Sequence, residues 1–407
     1  MKKKLLYITR EFNPTKKDGL SIRFSNTLDA LTKEYEVHLL YIGNKENEYI
    51  MKESFDIKKI SVFNLKKQKK IFSFLKTLTF GANYYKNLYG GKFNDYVINY
   101  ILENDIDIVY VNYFYLTSFF TDKRLIHIKK IVDLIDAISL HMKEAKDVSF
   151  FRKLFYKLQR DSVLKSELEA VKISDLAFIT TETEKKYLLE KNNNIKSGKI
   201  KILWNGVDKE IFDIGEAKIK NIKTKENHYK KKIAFLGSMD YYPNQIAVRR
   251  LIKNIFPKIT DKIKNIELII LGKNPPQDII NMCKENHNIS LLGYVEDLSE
   301  VLLNIDVLIL PMTIASGIQN KFLTGLASAT PTIITKRALF TNKLKPKIHV
   351  ITAESDEDYI EEILNIYINK QNIKNISLNA YTFAKEYLDW NSVKKRFIQQ
   401  INEVSEG

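Results

Sequence analysis

Residues 291–335 read LLGYVEDLSEVLLNIDVLILPMTIASGIQNKFLTGLASATPTIIT. Within them, 305–310 is a short apolar run of the kind that a parallel sheet buries on both faces. A loop with Gly317 follows, then a helical run over 319–328, and 332–335 is the next strand. Strand, tight loop and helix N-terminus together make an anion cradle. The first amides of a helix have no intrahelical partner, and the helix dipole adds partial positive charge there. Lys321 contributes a full charge at the same place, so a diphosphate would be at home. The bland alternative is an ordinary sheet turn, with Gly317 as punctuation and Lys321 solvated. Neither G-x-G-x-x-G nor G-x-x-x-x-G-K-[ST] is present to decide between them.

The wording of the segment adds what spacing does not. GYVEDL at 293–298, an apolar strand ending in Pro311, GIQNK at 317–321 and a small-residue helix leading to TPTIIT at 330–335 resemble the donor-binding half of the GT-B glycosyltransferases. The likeness is to the family-4-like sugar transferases of bacterial surface-polysaccharide and exopolysaccharide systems. GSMDYYPN at 237–244 and NGVD at 205–208 match the same family in the same order. The resemblance implies an α/β chain of two doubly wound Rossmann-like domains facing across a cleft. It implies a retaining, metal-independent transfer of sugar from a nucleotide-diphosphate donor to a glycan or lipid-linked glycan acceptor, with no cofactor.

On the donor side, Gly237 lets backbone approach a ligand closely, with Ser238 and Asn244 lining the site. Tyr294 and Val295 suit a nucleotide base. Ser316, Gly317, Ile318, Gln319 and Asn320 lead into Lys321, the expected partner of the leaving phosphates. One departure stands out. The family's two donor-loop glutamates, eight positions apart, correspond here to Ser316 and Thr324. A neutral hydroxyl bond is worth about half a charge-assisted one, which would weaken donor binding by about 1–3 kcal/mol. The alternative to an active enzyme is therefore an impaired glycosyltransferase-like subunit that stabilises or localises an active partner.

The N-terminal half opens with strand KLLYIT at 4–9 and strand VHLLYI at 37–42, a βαβ start that places ligands at strand C-termini. Its first loop is long and carries Asp18-Gly19, where the resembling family has Gly-Asp, with Arg23 one turn later. Asp18 could accept hydrogen bonds from an acceptor sugar or simply cap the helix, and Arg23 could pair with phosphate. Asp133 and Asp136 follow the strand that ends near Ile131. A carboxylate there could orient or deprotonate an acceptor hydroxyl, and helix capping is the alternative for either. Asp136 and Ser139 are the preferred cleft residues, with His141 after them.

The domains read as 1–208 plus 381–407 and as 209–380, with 209–232 a polar linker. At 407 residues, with 44% apolar and 28% charged content, the chain has the profile of two globular domains. No run of about 18 apolar residues occurs, and the N-terminus does not read as a signal peptide, so a cytoplasmic location is expected. The single cysteine, Cys283, excludes an intrachain disulfide, and no H-x-x-x-H pair supports a metal. Asp105-Ile106-Asp107 precedes a strand instead of following one, which argues against a metal-dependent GT-A site. A net charge of +16 raises nucleic acid and anionic membrane as partners, and no nucleic-acid-binding motif is evident. Residues 65–93 interleave lysines with Phe72, Phe74, Phe80, Tyr84, Tyr85 and Tyr89. That mixture suits either peripheral docking on the inner face of the plasma membrane or a packed amphipathic helix.

Overall fold

The computed structural model describes residues 2–405 apart from 11, 17, 44–47, 65–90, 145–149, 222–230, 315–316 and 369. The expected membrane-docking segment, 65–93, thus lies almost wholly outside the described residues, as does Ser316. The chain divides into two compact units, Met1–Trp204 with Val393–Gly407, and Asn205–Ser392.

In the first unit the described residues include strands β1 (Lys4–Arg10), β2 (Glu36–Ile42), β3 (Lys59–Phe63), β4 (Ile108–Asn112), β5 (Lys129–Asp133), β6 (Leu176–Ile179) and β7 (Ile200–Ile202). They form one parallel sheet ordered β3-β2-β1-β4-β5-β6-β7. Leu5, Leu6, Tyr7 and Ile8 are all fully buried, so β1 is covered on both faces and reads as a run instead of an alternation. The order reverses between β1 and β4, the switch point where such sheets take ligands. The core there is partly polar. Tyr7 stacks on its register partner Tyr110 at 5.2 Å, and its hydroxyl meets Thr27 at 3.0 Å and the Asn112 amide at 2.8 Å.

The second unit holds β8 (Lys231–Leu236), β9 (Ile266–Leu271), β10 (Ile289–Gly293), β11 (Val307–Leu310), β12 (Thr332–Ile334) and β13 (Ile351–Thr352). They form a second parallel sheet ordered β10-β9-β8-β11-β12-β13, with its switch point between β8 and β11. Both units are doubly wound, as the alternating pattern of the sequence implies.

Two sequence expectations change. The polar linker at 209–232 is in its first part a helix, Lys209–Asn221. Its charges mask a buried stripe: Phe212 and Ile214 are buried, and Lys218 Nζ donates to the carbonyls of Leu302 (2.9 Å) and Ile305 (3.0 Å) and to Thr330 Oγ1 (2.7 Å). The C-terminal run is also divided differently. Helix Lys370–Tyr387 belongs to the second unit, where Tyr381 meets Phe212 at 6.0 Å. Only from Val393, within helix Trp390–Ser405, does the chain belong to the first unit, where Phe397 packs on Tyr110 and Phe178. No described helix is long and apolar enough to cross a membrane.

Candidate active site

In the second unit, the ends of three adjacent strands are pressed together. The Gly272 N–H donates to the Gly293 carbonyl at 2.8 Å, and a Cβ on Gly272 would fall on the carbonyl oxygen of Gly237. Asn244, in the first turn of helix Tyr242–Arg250, donates from Nδ2 to the Ser238 carbonyl at 2.7 Å. A Cβ on Gly237 would sit 2.7 Å from that same nitrogen, so the glycine admits the asparagine. Ser238 turns its hydroxyl to Asp240, at 3.1 Å.

Lys321 is the second residue of helix Asn320–Ala327, and its Nζ donates to Asn244 Oδ1 and lies 5.2 Å from the centre of the Phe235 ring. Burial pulls its ammonium down to about 7. A lysine so placed, its charge destabilised by burial, would be stabilised as a cation by an anion beside it. Gly317 reaches the loop conformation through a left-handed φ of 61°, and Gln319 forms the N-cap. Asn320 Oδ1 accepts from Asn205 Nδ2 at 3.0 Å, so the NGVD segment is tied to the start of this helix. Thr324 donates its hydroxyl to the Asn320 carbonyl at 3.1 Å, and its polar hydrogen is thereby committed to the helix backbone. Tyr294 is 65% exposed beyond β10, with Val295 half-buried beside it and Ile318 half-buried in the helix-entry loop.

The first unit corrects part of the acceptor-side expectation. Arg23 and Asp133 are fully buried and face each other in a bidentate pair, with Nε–Oδ2 and Nη2–Oδ1 both at 2.9 Å. Asp133 also accepts from the Tyr110 hydroxyl and the Ile135 N–H, while Arg23 Nη1 donates to the Leu203 carbonyl at 2.7 Å. These two residues knit the helix Gly19–Glu34 to β5 and to the residue after β7. Asp18 is the N-cap of that helix, accepting from the Ser21 N–H at 3.0 Å, and Gly19 begins it. Ser139, expected at the site, is buried and gives its N–H and its hydroxyl to the carboxyl of Glu167.

Asp136 and His141 do come together. The Asp136 N–H bonds back to the Leu134 carbonyl at 2.9 Å across Ile135, whose φ is 69°. A γ-turn of that hand at a β-branched residue stores strain of about 1–3 kcal/mol, and such strain collects at functional sites. Asp136 is left half-buried. Glu184, in the first turn of helix Glu182–Lys191, accepts at Oε1 from the Ala137 N–H and from His141 Nε2, each at 3.0 Å. Its Oε2 closes a capping box with Thr181. Burial, then the charge of Glu184, pushes the Asp136 carboxyl up to about 6, against the pull of His141 and Arg23. Burial works against charge on His141, but the Glu184 bond and the surrounding carboxylates outweigh it and raise the imidazole. Glu167 is pushed up to about 7, chiefly by burial. Among the described residues, Asp136, His141 and Glu184 also bring potential cation ligands within 4.8 Å of one another, although both Glu184 oxygens already accept hydrogen bonds.

Sequence reasoning missed Glu184, Glu167 and Asn205. Glu184 had a signal, the Thr181-x-x-Glu184 spacing of a capping box. Glu167 lies in a long charged helix with nothing to mark it as buried.

Comparison with known proteins agrees with this geometry. Residues 230–369 match the family described as "Glycosyl transferases group 1". No curated protein matches the chain. Among solved structures, the Anabaena protein HepE, in complex with UDP and glucose, is 10% identical with a TM-score of 0.67, covering 98% of this chain and 100% of its own. Sucrose-phosphate synthase of Thermosynechococcus elongatus is 13% identical with a TM-score of 0.70, covering 99% of each chain. A glycosyltransferase of Rickettsia africae is 13% identical with a TM-score of 0.65, covering 99% of this chain and 98% of its own. The chain thus has the GT-B fold along its length, and its residues 230–369 match the group 1 glycosyltransferases.

Proposed function

We propose that the protein transfers a sugar, with retention of anomeric configuration, from a UDP-type nucleotide donor to a glycan or lipid-linked glycan acceptor in surface-polysaccharide synthesis. The observation that carries this reading is Lys321, a half-buried cation at the start of helix Asn320–Ala327, within the segment that matches group 1 glycosyltransferases. As the sugar's anomeric C–O bond to the donor breaks, negative charge grows on the departing phosphate. Lys321 and the first-turn amides would meet it, a preorganised electrostatic stabilisation. Asp136 would accept the hydrogen bond of the acceptor hydroxyl. UDP is favoured because solved neighbours hold it: HepE with UDP-glucose, and an Escherichia coli trehalose-6-phosphate protein with UDP-2-fluoro glucose.

A second reading has one observation behind it. Thr324 commits its hydroxyl to the helix, so no charged group stands at that position to hold a ribose. A subunit that has lost donor turnover and supports an active partner would look the same there. The two readings part on release of UDP from a panel of UDP-sugars with a glycan acceptor. The enzyme reading expects release with one sugar, an α-linked product from an α-donor, and a loss of about 100-fold or more in Lys321→Ala. Wild-type turnover in that variant would remove Lys321 from the mechanism.

A further inference from the structure

The reading above gives Lys321 its task and leaves open what holds so flexible a side chain at one point. A lysine carries its charge on a four-carbon stem, and a point charge stabilises a departing phosphate only as well as it is placed. The brace comes from the other side of the switch point: Lys321 follows β11, and Asn244 follows β8, the neighbouring strand. Lys321 Nζ donates to Asn244 Oδ1 and lies 5.2 Å from the centre of the Phe235 ring of β8. Among the described residues it forms no ion pair. The amide cannot turn round. Asn244 Nδ2 donates to the Ser238 carbonyl at 2.7 Å, so a flipped amide would set its NH2 against the ammonium and its oxygen against the carbonyl. The Asn244 N–H also bonds the Tyr241 carbonyl at 2.9 Å, which fixes the residue at the start of its helix. The three atoms nearest to a Cβ built on Gly237 all belong to this amide, at 2.7, 2.9 and 3.2 Å, so a side chain at 237 would push it aside.

We propose that Asn244 is a positioning residue: it holds the Lys321 ammonium where the charge of the leaving phosphate develops, and acts on the donor only through that lysine. The proposal rests on the glycosyltransfer reading. Asn244 is 5% exposed, and both of its polar side-chain atoms are engaged inside the protein. A lysine has three N–H donors, of which Asn244 takes one, so two remain for phosphate oxygens. A neutral partner suits that task. A carboxylate at 244 would pair with the ammonium and compete with the diphosphate, whereas the amide orients the charge and leaves it uncompensated. Released from Asn244, the lysine would still attract the bound diphosphate, since a mobile charge acts from many positions. It would meet the charge growing on one oxygen less well, so the loss falls on kcat and spares the donor KM.

The test is a double-mutant cycle on UDP release by wild type, Asn244→Ala, Lys321→Ala and the double variant, with melting temperatures to confirm folding. Asn244→Ala should lower kcat about ten- to a hundredfold and change the donor KM less than about threefold. Added to Lys321→Ala, the same substitution should cost less than about threefold, because the residue through which it acts is gone. Gly237→Ala leaves both side chains in place and displaces the amide. It should lower kcat in the same sense, and it keeps the test decisive if Asn244→Ala does not fold. Losses that multiply in the double variant, or a raised donor KM at unchanged kcat, would show that Asn244 meets the donor itself and overturn the proposal. Wild-type kcat in Asn244→Ala or Gly237→Ala, with Lys321→Ala impaired, overturns this inference alone. Wild-type turnover in Lys321→Ala, or no UDP release by the wild type from any sugar, removes the phosphate role of Lys321 and this inference with it.

Discussion

At Lys321 a proton is the reporter. Its folded pKa lies below that of the unfolded chain, so between about pH 7 and 10 the unfolded state binds the extra proton. The unliganded protein should therefore gain stability as pH rises through that window, and Lys321→Met should flatten the gain. A diphosphate would draw the proton back. Affinity for a nucleoside diphosphate should weaken about tenfold from pH 7.5 to 8.5, with proton uptake seen by titration calorimetry in buffers of different ionisation heat. Lys321→Met should bind weakly with no such slope. Asp136 has the opposite sign. Its folded pKa of about 6 lies above the unfolded value, so stability is lost as pH rises from about 4 to 6. Asp136→Asn should gain on the order of 2 kcal/mol at pH 7 and nothing at pH 3.5, read from urea midpoints. Stability gained together with turnover lost is the signature of a carboxylate kept for function.

Among the elements, the buried Arg23–Asp133 pair is the fastening of the first sheet to its first helix. Arg23→Met leaves a buried aspartate without its cation and should cost about 3–5 kcal/mol in equilibrium unfolding, with little change in m-value. Replacing both partners by apolar residues should recover most of that loss. A milder result for the single variant would mean that water reaches Asp133. In the second unit, Gly272→Ala must separate the ends of β8 and β9, because its new carbon meets backbone and not a side chain that can turn away. A cost of about 1–3 kcal/mol in stability is expected, with weaker nucleotide binding since Gly237 and Asn244 sit on the displaced edge. These elements also show what the sequence makes legible. The strands were readable because parallel sheets bury continuous apolar runs such as 5–8 and 307–310. Arg23 was misread because an arginine one turn into a helix looks the same whether it faces a phosphate or a buried aspartate 110 residues away. The helix at 209–221 was hidden by its lysines, because Lys218 reads as a solvated charge but turns inward to the carbonyls of Leu302 and Ile305.

Across the whole molecule, two sheets with switch points at β1/β4 and β8/β11 account for where the site residues fall. The donor-side motifs were legible because they are contiguous, and each sits on one loop at a strand end. The acceptor-side cluster was only half legible: Asp136 and His141 are close in sequence, on the loop after β5 and the helix Ile138–Glu144 that follows, but Glu184 comes from another helix, and only tertiary folding brings it within 3.0 Å of His141. The net charge of +16 identifies no ligand by itself, since it is a property of the composition of the entire chain. The central claim is that residues around Lys321 bind the diphosphate of a nucleotide sugar. Thermal stabilisation of the purified protein by a panel of nucleotides and nucleotide sugars, beside Lys321→Ala, tests it most directly. A ligand at 100 times its Kd should add about 2.7 kcal/mol and raise Tm by several degrees. Selective stabilisation by uridine nucleotides, absent in the variant, is the predicted result. No shift with any nucleotide at millimolar concentration, or the same shift in Lys321→Ala, would contradict it.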